Sequence, residues 1–290
     1  MSFAFLRTHL RHWIAENQIV AVLAGLVLGL TWPEAFAWIN QYSTPLLMAV
    51  FFTSSLRLSL PALLKYAKDW RMLVIANVFM LAIIPLALFI PLHFLSPEWA
   101  IAFLIAGVTP TGMTIALVAE FFGGTPPLAL LITVTTSLLA PLTIPLIFQV
   151  AIGQSIPIPV LSMMKSLFIS IVIPFVIAAV IQRKVPKLVE RHDSSLRILS
   201  VLLFGILVTG ITAGTSGTAL PRLGLLDVLI ILLGTAWAGL LTRGSYDLLP
   251  WRTKGERLTV ALCLVYINNT LALFIADRYF KQYGAVARVV

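Results

Sequence analysis

Long apolar blocks without charged residues are the feature that most constrains the fold of this chain. Two of the longest run from Gln18 to Trp32 and from Met72 to Leu92, and neither contains an acidic or a basic residue. A helix that crosses a bilayer needs about 20 predominantly apolar residues. Charged residues make up 11% of the sequence, whereas soluble proteins carry about 25%, so too few are present to cover a water-facing surface. The sequence therefore predicts an all-α polytopic membrane protein.

The positive charge of the chain follows a positional pattern. The net charge is +9, and most basic residues stand in four groups between apolar blocks, whereas the connections near Pro33, Ser96 and Gly153 hold none. Basic residues on every second connection are typical of cytoplasmic loops. We therefore interpret the charge as topology, with the N-terminus in the cytoplasm, and not as a nucleic-acid surface. The four groups are Arg7 and Arg11; Arg57, Lys65, Lys68 and Arg71; Arg183, Lys184, Lys187, Arg191 and Arg197; and Arg243, Arg252, Lys254 and Arg257.

Apolar blocks and the breaks between them predict nine membrane spans. We interpret residues 1–152 as a first repeat of five spans, and residues 153–290 as a second, inverted repeat that holds spans 6–9 and the start of a tenth. The tenth span is expected to be missing or truncated, because the sequence ends about where it would begin. The nine spans lie near 18–37, 43–58, 72–94, 99–122, 126–152, 159–182, 196–215, 224–242 and 257–278.

Two of the predicted spans are interrupted by residues that disfavour a continuous helix. The fourth contains Thr109-Pro110-Thr111-Gly112, in which proline removes a backbone donor and clashes with the preceding turn. The ninth contains Tyr266-Ile267-Asn268-Asn269-Thr270, with three consecutive polar side chains at membrane depth. Unwound backbone in a bilayer is tolerated only inside protein or along a wet cavity. Both interruptions are therefore expected to lie in the protein interior.

The two interrupted spans also resemble each other. Thr114-Ile115-Ala116-Leu117 matches Thr270-Leu271-Ala272-Leu273 at an offset of 156 residues, and an acidic residue closes each copy, Glu120 in the first and Asp277 in the second. The copies are five spans apart in chain order, so they should run in opposite directions across the membrane. A pair of interrupted spans at corresponding positions of two halves indicates the binding site of a transporter.

These motifs resemble those of the bile acid:sodium symporter family, which shares a superfamily with arsenite efflux permeases. The resemblance rests on Pro110-Thr111-Gly112 in the fourth span and Asn268-Asn269-Thr270 in the ninth. It implies a panel domain from spans 1, 2, 6 and 7, a core domain from spans 3–5, 8 and 9, and two broken helices that cross in the core. Substrate would bind beside the crossing. The fifth span adds a polar run before Pro141, made of Thr133, Thr135, Thr136 and Ser137.

Candidate site residues follow from the interruptions and from the resemblance. Free N–H groups at a half-helix carry the positive end of the helix dipole and suit an anionic substrate, whereas hydroxyl, amide and carbonyl oxygens suit Na⁺. The predicted substrate-binding residues are Thr109, Pro110, Thr111, Gly112, Asn268 and Asn269. The predicted Na⁺-binding residues are Asn77, Thr114, Thr133, Thr136, Asn268, Asn269 and Thr270.

Each candidate also has a purely structural interpretation. Asparagine side chains can hydrogen-bond across membrane helices and so serve packing alone. Threonine and serine hydroxyls often bond to carbonyls of their own helix.

The sequence departs from the sodium-coupled pattern of that family in one important respect. The glutamate that serves both sodium sites would fall at Leu264, and the Ser-Asn pair of the fourth-helix motif falls on Ile115 and Ala116. Glu120 and Asp227 are peripheral in the predicted arrangement. We therefore expect at most one Na⁺ site, built from neutral oxygens.

The predicted function is secondary active transport of a small organic anion, either bile-acid-like or a carboxylate, with Na⁺ as the coupling ion and no other cofactor. The alternative is a proton-coupled or uncoupled transporter, including an arsenite or oxyanion efflux permease, although Thr109 stands where such permeases carry a thiol. A lone Cys263 and the absence of a His/Cys cluster give no transition-metal site. No catalytic motif is present, so we expect no enzyme, and a bacterial inner membrane is the expected location.

The distribution of basic residues yields a topology prediction. Single cysteines placed at Lys65, Lys187 and Lys254 should resist a membrane-impermeant thiol reagent added to intact cells, because positive-inside loops face the cytoplasm. Each should react after the cells are permeabilised. Labelling of two or more positions from outside would invert the topology.

Overall fold

A computed structural model describes residues 18–57, 70–112, 114–215 and 224–281 of the chain. Within these ranges the structure is helical and contains no β-strand. In chain order the α-helices are α1 Gln18–Thr31, α2 Pro33–Phe36, α3 Ser43–Ser55, α4 Trp70–Leu95, α5 Pro97–Val108, α6 Ile115–Phe121, α7 Pro126–Ile152, α8 Val160–Lys184, α9 Pro186–Arg191, α10 Asp193–Thr215, α11 Leu225–Asp247, α12 Lys254–Val265 and α13 Asn269–Phe280, with a 3₁₀ helix Ala37–Tyr42 between α2 and α3.

Five of the helices in the described ranges are long and apolar enough to cross a membrane, namely α4, α7, α8, α10 and α11. The all-α polytopic architecture predicted from the apolar blocks is therefore confirmed, and the chain is a multi-pass integral membrane protein. The four other predicted spans contain the shorter helices α1 and α3 and the interrupted pairs α5–α6 and α12–α13. The count of nine spans stays a prediction. The proposed start of a tenth span and the loop around Lys65 lie outside the described residues.

The chain forms two compact units. One is built from Met1–Leu58 with Ser170–Leu220, and the other from Ser59–Ile169 with Pro221–Val290. Each unit thus draws helices from both halves of the sequence. The predicted division into panel and core domains stays a prediction.

Close packing of small residues joins α1 to α10 in the first unit. Gly25 and Gly29 are one helical turn apart, and a β-carbon on Gly29 would lie 2.8 Å from the carbonyl oxygen of Thr209 and 2.8 Å from the β-carbon of Thr212. On Gly25 it would lie 2.6 Å from the carbonyl oxygen of Gly205. Small residues spaced four apart let membrane helices approach at backbone distance, where packing replaces the missing hydrophobic driving force.

The second unit has a continuous apolar core made by α4, α6, α7 and α12. Met80, Ile115, Ile132 and Cys263 are among its buried members. Helix α11 is held against α5 and α4 by two indole hydrogen bonds. Trp99 donates its Nε1–H to Asp227 Oδ1 at 2.7 Å, and Trp237 donates to the Ala87 carbonyl at 2.8 Å. These bonds hold in place a helix of which little else is buried, since only 11% of its apolar stretch lies inside the protein.

Two helices contain π-helical segments, each followed by a proline. In α4 the segment Phe79–Ile83 precedes Pro85, and in α8 the segment Phe168–Val172 precedes Pro174. Proline removes one hydrogen bond and crowds the carbonyl four residues earlier. The wider π turn relieves this crowding inside a membrane helix and is frequent at functional sites. The sequence analysis did not predict these segments.

The contact between α1 and α10 gives a stability prediction. Gly29→Ala should destabilise the protein by about 1–3 kcal/mol, because the new methyl group overlaps backbone and side-chain atoms of α10. Gly205→Ala is the matched control, since its nearest atom would lie at 3.4 Å. We expect the control to be neutral or stabilising by up to about 1 kcal/mol through helix propensity. Melting temperatures in detergent measure both, and equal losses would contradict the prediction.

Candidate substrate and ion site

The first interruption separates α5, which ends at Val108, from α6, which begins at Ile115. Thr109 leaves the helical conformation, with φ −76° and ψ 142°. Steric conflict with the ring of a following proline disfavours the helical region at this position. Pro110 therefore ends α5 through its effect on Thr109, as the sequence predicted.

The second interruption separates α12, which ends at Val265, from α13, which begins at Asn269. No proline is present here. Asn268 instead caps α13, and its Oδ1 accepts a hydrogen bond from the backbone N–H of Leu271 at 3.1 Å. Asparagine is among the strongest residues at this capping position. The polar run in the ninth predicted span thus acts by starting a new helix.

The two interruptions are joined by a pair of backbone hydrogen bonds. Gly112 donates to the Tyr266 carbonyl at 2.8 Å, and Asn268 donates to the Pro110 carbonyl at 2.8 Å. Thr111 and Ile267 are the residues that lie opposite each other in this short antiparallel bridge. In such a pair the N–H and C=O groups of the two central residues point away from the partner strand. Ile267 uses both of its groups locally, because its N–H donates to the Val265 carbonyl at 3.0 Å and its carbonyl accepts from the Asn269 N–H at 3.1 Å. The outward-pointing groups that remain for a ligand are therefore those of Thr111.

Tyr266 fixes the geometry of the first interruption through its ring and its hydroxyl. A β-carbon on Gly112 would lie 2.7 Å from Cε1 of the Tyr266 ring, so only glycine fits there. The Tyr266 hydroxyl is 2.6 Å from Oγ1 of Thr114. Tyr266 belongs to the interrupted stretch predicted from the sequence, but it was not among the predicted site residues. Its phenolic hydroxyl at membrane depth was the signal that could have identified it.

The two threonines around Pro110 are buried and engaged with main-chain carbonyls. Thr109 Oγ1 donates to the Ala106 carbonyl at 2.7 Å, and Thr111 Oγ1 donates to the Cys263 carbonyl at 3.2 Å. Thr111 Oγ1 also lies 3.7 Å from the sulfur of Met80. Each hydroxyl oxygen keeps lone pairs that can accept from, or coordinate, a ligand.

The side-chain oxygen of Asn77 is a buried acceptor that receives no hydrogen bond from the described residues. The Nδ2 of this residue donates to the Leu73 carbonyl at 2.7 Å and to Thr135 Oγ1 at 2.9 Å. Its Oδ1 is buried and has no hydrogen-bond partner among the described residues. Most buried side-chain oxygens have a partner, so an unpaired amide oxygen indicates a position for a cation or a water. Asn77 is one helical turn from Met80, the residue that touches Thr111.

The polar residues of α7 share a buried face. Thr133, Thr136 and Ser137 are at positions i, i+3 and i+4, and all are at most 2% exposed. Thr133 donates to the Ala129 carbonyl at 2.9 Å and Thr136 to the Ile132 carbonyl at 2.7 Å. These two hydroxyls therefore also satisfy their own helix. Thr135, which was not among the predicted ion ligands, is the one that meets Asn77.

The remaining predicted residues lie around the second interruption. Thr270 is buried in the first turn of α13, whereas Asn269 is exposed. Leu264 is buried at the position where a sodium-coupled pattern would place a carboxylate. Glu120 is exposed, and Asp227 bonds to Trp99. Among the described residues no group of three His, Cys, Asp or Glu side chains could hold a metal ion.

Paired interrupted helices inside an all-α membrane protein are the architecture of a secondary transporter. The family model described as the Sodium Bile acid symporter family matches residues 44–220, which is more than half of the chain and includes the first interruption. The chain belongs to this family, and the resemblance found in the motifs is confirmed.

Two curated proteins show the same relationship over longer stretches. The "Uncharacterized sodium-dependent transporter YocS" of Bacillus subtilis (strain 168) is 23% identical over 282 residues, 96% of this chain and 87% of its own length. "Sodium/bile acid cotransporter 7" of Mus musculus is 23% identical over 239 residues, 77% of this chain and 69% of its own length. The protein is thus a membrane transporter and not an enzyme.

The contact between Gly112 and Tyr266 generates the prediction for this site. Gly112→Ala should lower the melting temperature and abolish transport, because the added methyl group displaces the Tyr266 ring and lengthens the hydrogen bond between Gly112 and Tyr266. Gly244→Ala is the control, since a β-carbon there meets no atom within 4 Å. A Gly112→Ala protein with unchanged melting temperature and uptake would show that close contact at this interruption is not required.

Proposed function

We propose that this protein is a secondary active transporter that carries a small organic anion, bile-acid-like or a carboxylate, together with Na⁺ by alternating access. The observation that carries the proposal is the pair of interrupted helices hydrogen-bonded to each other at 110–112 and 266–268. Irregular backbone at membrane depth is tolerated only where it is buried in protein or lines a water-filled cavity, and in transporters paired interrupted helices form the substrate site. The family membership agrees with this function.

The bridge itself supports an inverted repeat. Thr111 and Ile267 are 156 residues apart, the same offset that relates the matching sequences at Thr114 and Thr270. At this offset Pro110 is equivalent to Tyr266, and Gly112 is equivalent to Asn268. The bond from Gly112 to Tyr266 is therefore equivalent to the bond from Asn268 to Pro110. An antiparallel pair in which equivalent residues face each other has a local two-fold axis. This symmetry favours two inverted repeats, nine visible spans and broken helices that cross at the bridge.

An anionic substrate suits the charge of the site. The N-terminus of α13 provides the positive end of a helix dipole, and Asn268 and Asn269 add amide donors there. The first interruption contributes Thr109, Thr111 and Gly112. None of these residues carries a charge, so an anion meets no repulsion from a carboxylate.

A single Na⁺ would be held by neutral oxygens. The unpaired Oδ1 of Asn77 is the best-defined of them. The hydroxyls of Thr114, Thr133, Thr136 and Thr270 and the amides of Asn268 and Asn269 complete the candidate set. The name of the Bacillus subtilis relative, a sodium-dependent transporter, and that of the mouse relative, a sodium/bile acid cotransporter, support Na⁺.

Neutral ligands leave the charge of Na⁺ uncompensated in a low-dielectric interior, where an isolated charge is costly. The charge of a bound organic anion offsets it. We therefore propose that Na⁺ and substrate bind cooperatively, each raising the affinity for the other by the same factor.

We also propose a cytoplasmic N-terminus and a location in the bacterial inner membrane. The alternation of basic loops supports the orientation, and the alignment with a bacterial relative over 96% of this chain supports the location.

A second candidate is uncoupled or proton-coupled transport. Leu264, in place of a carboxylate, favours it. Arsenite or another oxyanion is disfavoured as the solute, because the only thiol of the sequence, Cys263, belongs to α12 and is fully buried in the apolar core.

Thermal unfolding with defined salts tests the sodium coupling. Purified protein should gain melting temperature from taurocholate or short-chain carboxylates more strongly in NaCl than in KCl or choline chloride, because ligands of the folded state stabilise it. Affinity for the anion that is independent of Na⁺ would remove sodium coupling and favour the second candidate.

Two variants test the ligands. Asn77→Ala should raise the half-saturating Na⁺ concentration about tenfold or more, since a bond to a charged group contributes about 1.5–3 kcal/mol. Asn268→Ala should weaken Na⁺ and anion binding together. Glu120→Gln, at an exposed position, should leave both unchanged. Unaltered Na⁺ binding in Asn77→Ala would remove this residue from the ion site.

A further inference from the structure

A groove separate from the interrupted helices lies where α11 ends and α12 begins. It encloses about 600 Å³, a volume in the range of small-molecule sites. The residues that characterise it are Phe122, Gly239, Arg243, Tyr246, Lys254 and Leu258. None of the predicted substrate or ion ligands is among its lining residues.

One end of the groove is cationic. Arg243 and Lys254 both line it, and no carboxylate is found among the described residues of its lining. Arg243 forms an ion pair with Asp247 at 3.0 Å, but Asp247 also forms an ion pair with Arg257 at 3.5 Å. One carboxylate is thus shared between two arginines. Lys254 has no ion-pair partner within the described part of the chain. This end therefore has an uncompensated positive charge.

The rest of the groove is apolar and open. Phe122, Leu258 and Ala261 line it, and the position of Gly239 leaves space, since a β-carbon there would meet no atom within 4 Å. Arg257 lies over the Tyr246 ring at 4.0 Å and holds it at the edge of the groove. On the same helix as Gly239, Leu232, Leu233 and Leu240 are exposed. The apolar part of the groove is thus continuous with an exposed apolar helix face.

Exposed aromatic side chains fix the depth of the groove in the membrane. Phe121 is 84% and Trp251 62% exposed, and both lie in or beside the turns that adjoin the groove. Aromatic and basic residues together mark the boundary between the hydrocarbon core and the headgroups. The cationic end therefore lies at the level of lipid phosphates.

We propose that this groove is a binding site for one anionic phospholipid. The headgroup phosphate lies between Arg243 and Lys254, and the first part of an acyl chain packs along Phe122, Gly239 and Leu258. Basic pockets beside membrane helices bind anionic lipid headgroups in this way. A soluble anion would use only the cationic end and would leave the apolar part without an occupant, so the groove favours a lipid.

Lipid titrations in detergent test the site. Phosphatidylglycerol should raise the melting temperature of the purified protein more than phosphatidylcholine with the same acyl chains. Glycerol phosphate, which presents the anion without acyl chains, should give no comparable shift. Equal shifts from phosphatidylcholine would overturn the role of charge, and equal shifts from glycerol phosphate would overturn the lipid as occupant.

Matched glycine variants locate the lipid. Gly239→Leu fills the groove and should raise the half-saturating phosphatidylglycerol concentration about tenfold. Gly244→Leu on the same helix has equal free space but lies outside the groove, and should behave as the parent protein. Lys254→Gln should weaken phosphatidylglycerol binding severalfold without a change of shape, which keeps the test valid if Gly239→Leu does not fold. Parental binding in Lys254→Gln, or in a folded Gly239→Leu, would refute the site.

Discussion

The two hydrogen bonds that join the interruptions are the contacts on which the proposed transport site depends. In a bilayer every backbone group must find a partner within the protein, and each unpaired group costs several kcal/mol. Ending two helices inside a membrane protein creates several such groups. The exchange of bonds between 110–112 and 266–268 satisfies four of them at once. Because α5, α6, α12 and α13 all begin or end there, this bridge positions four half-helices around one point.

The bridge leaves a particular set of groups for a ligand. The main-chain groups of Thr111 point away from the pair, and the unpaired Oδ1 of Asn77 lies a turn from the Met80 side chain that touches Thr111. All of these groups are neutral. A site without fixed charge favours a pair of ligands with opposite charges over either ligand alone. Leu264 stands where a sodium-coupled pattern has a carboxylate. Its presence thus changes the expected dependence of ion binding on substrate binding, and not only the expected number of ions.

The sequence predicted those parts of the site that local chemistry determines. Pro110 and the polar run at 268–270 located both interruptions, and the offset of 156 residues paired them. The sequence did not identify Tyr266 as the partner of Gly112 and Thr114, nor Thr135 as the partner of Asn77. These contacts join residues that are 154, 152 and 58 positions apart in the chain. The π segments were missed for a related reason. Proline signals a distortion, but neighbouring helices decide whether it becomes a kink or a π turn.

The two interruptions have different physical origins, although each donates one hydrogen bond to the other and accepts one from it. Proline in a helix interior costs about 3 kcal/mol or more, but α7 continues through Pro141 and Pro145, so the break at Pro110 also depends on the surrounding contacts, the bridge among them. The second interruption rests on the Asn268 cap, which contributes about 1 kcal/mol, and a continuous helix from α12 to α13 would satisfy its own backbone. The hydrogen bonds from Asn268 to Pro110 and from Gly112 to Tyr266 compensate for that alternative. The two interruptions therefore stabilise each other through the bridge, and a change at Gly112 acts on both halves of the site.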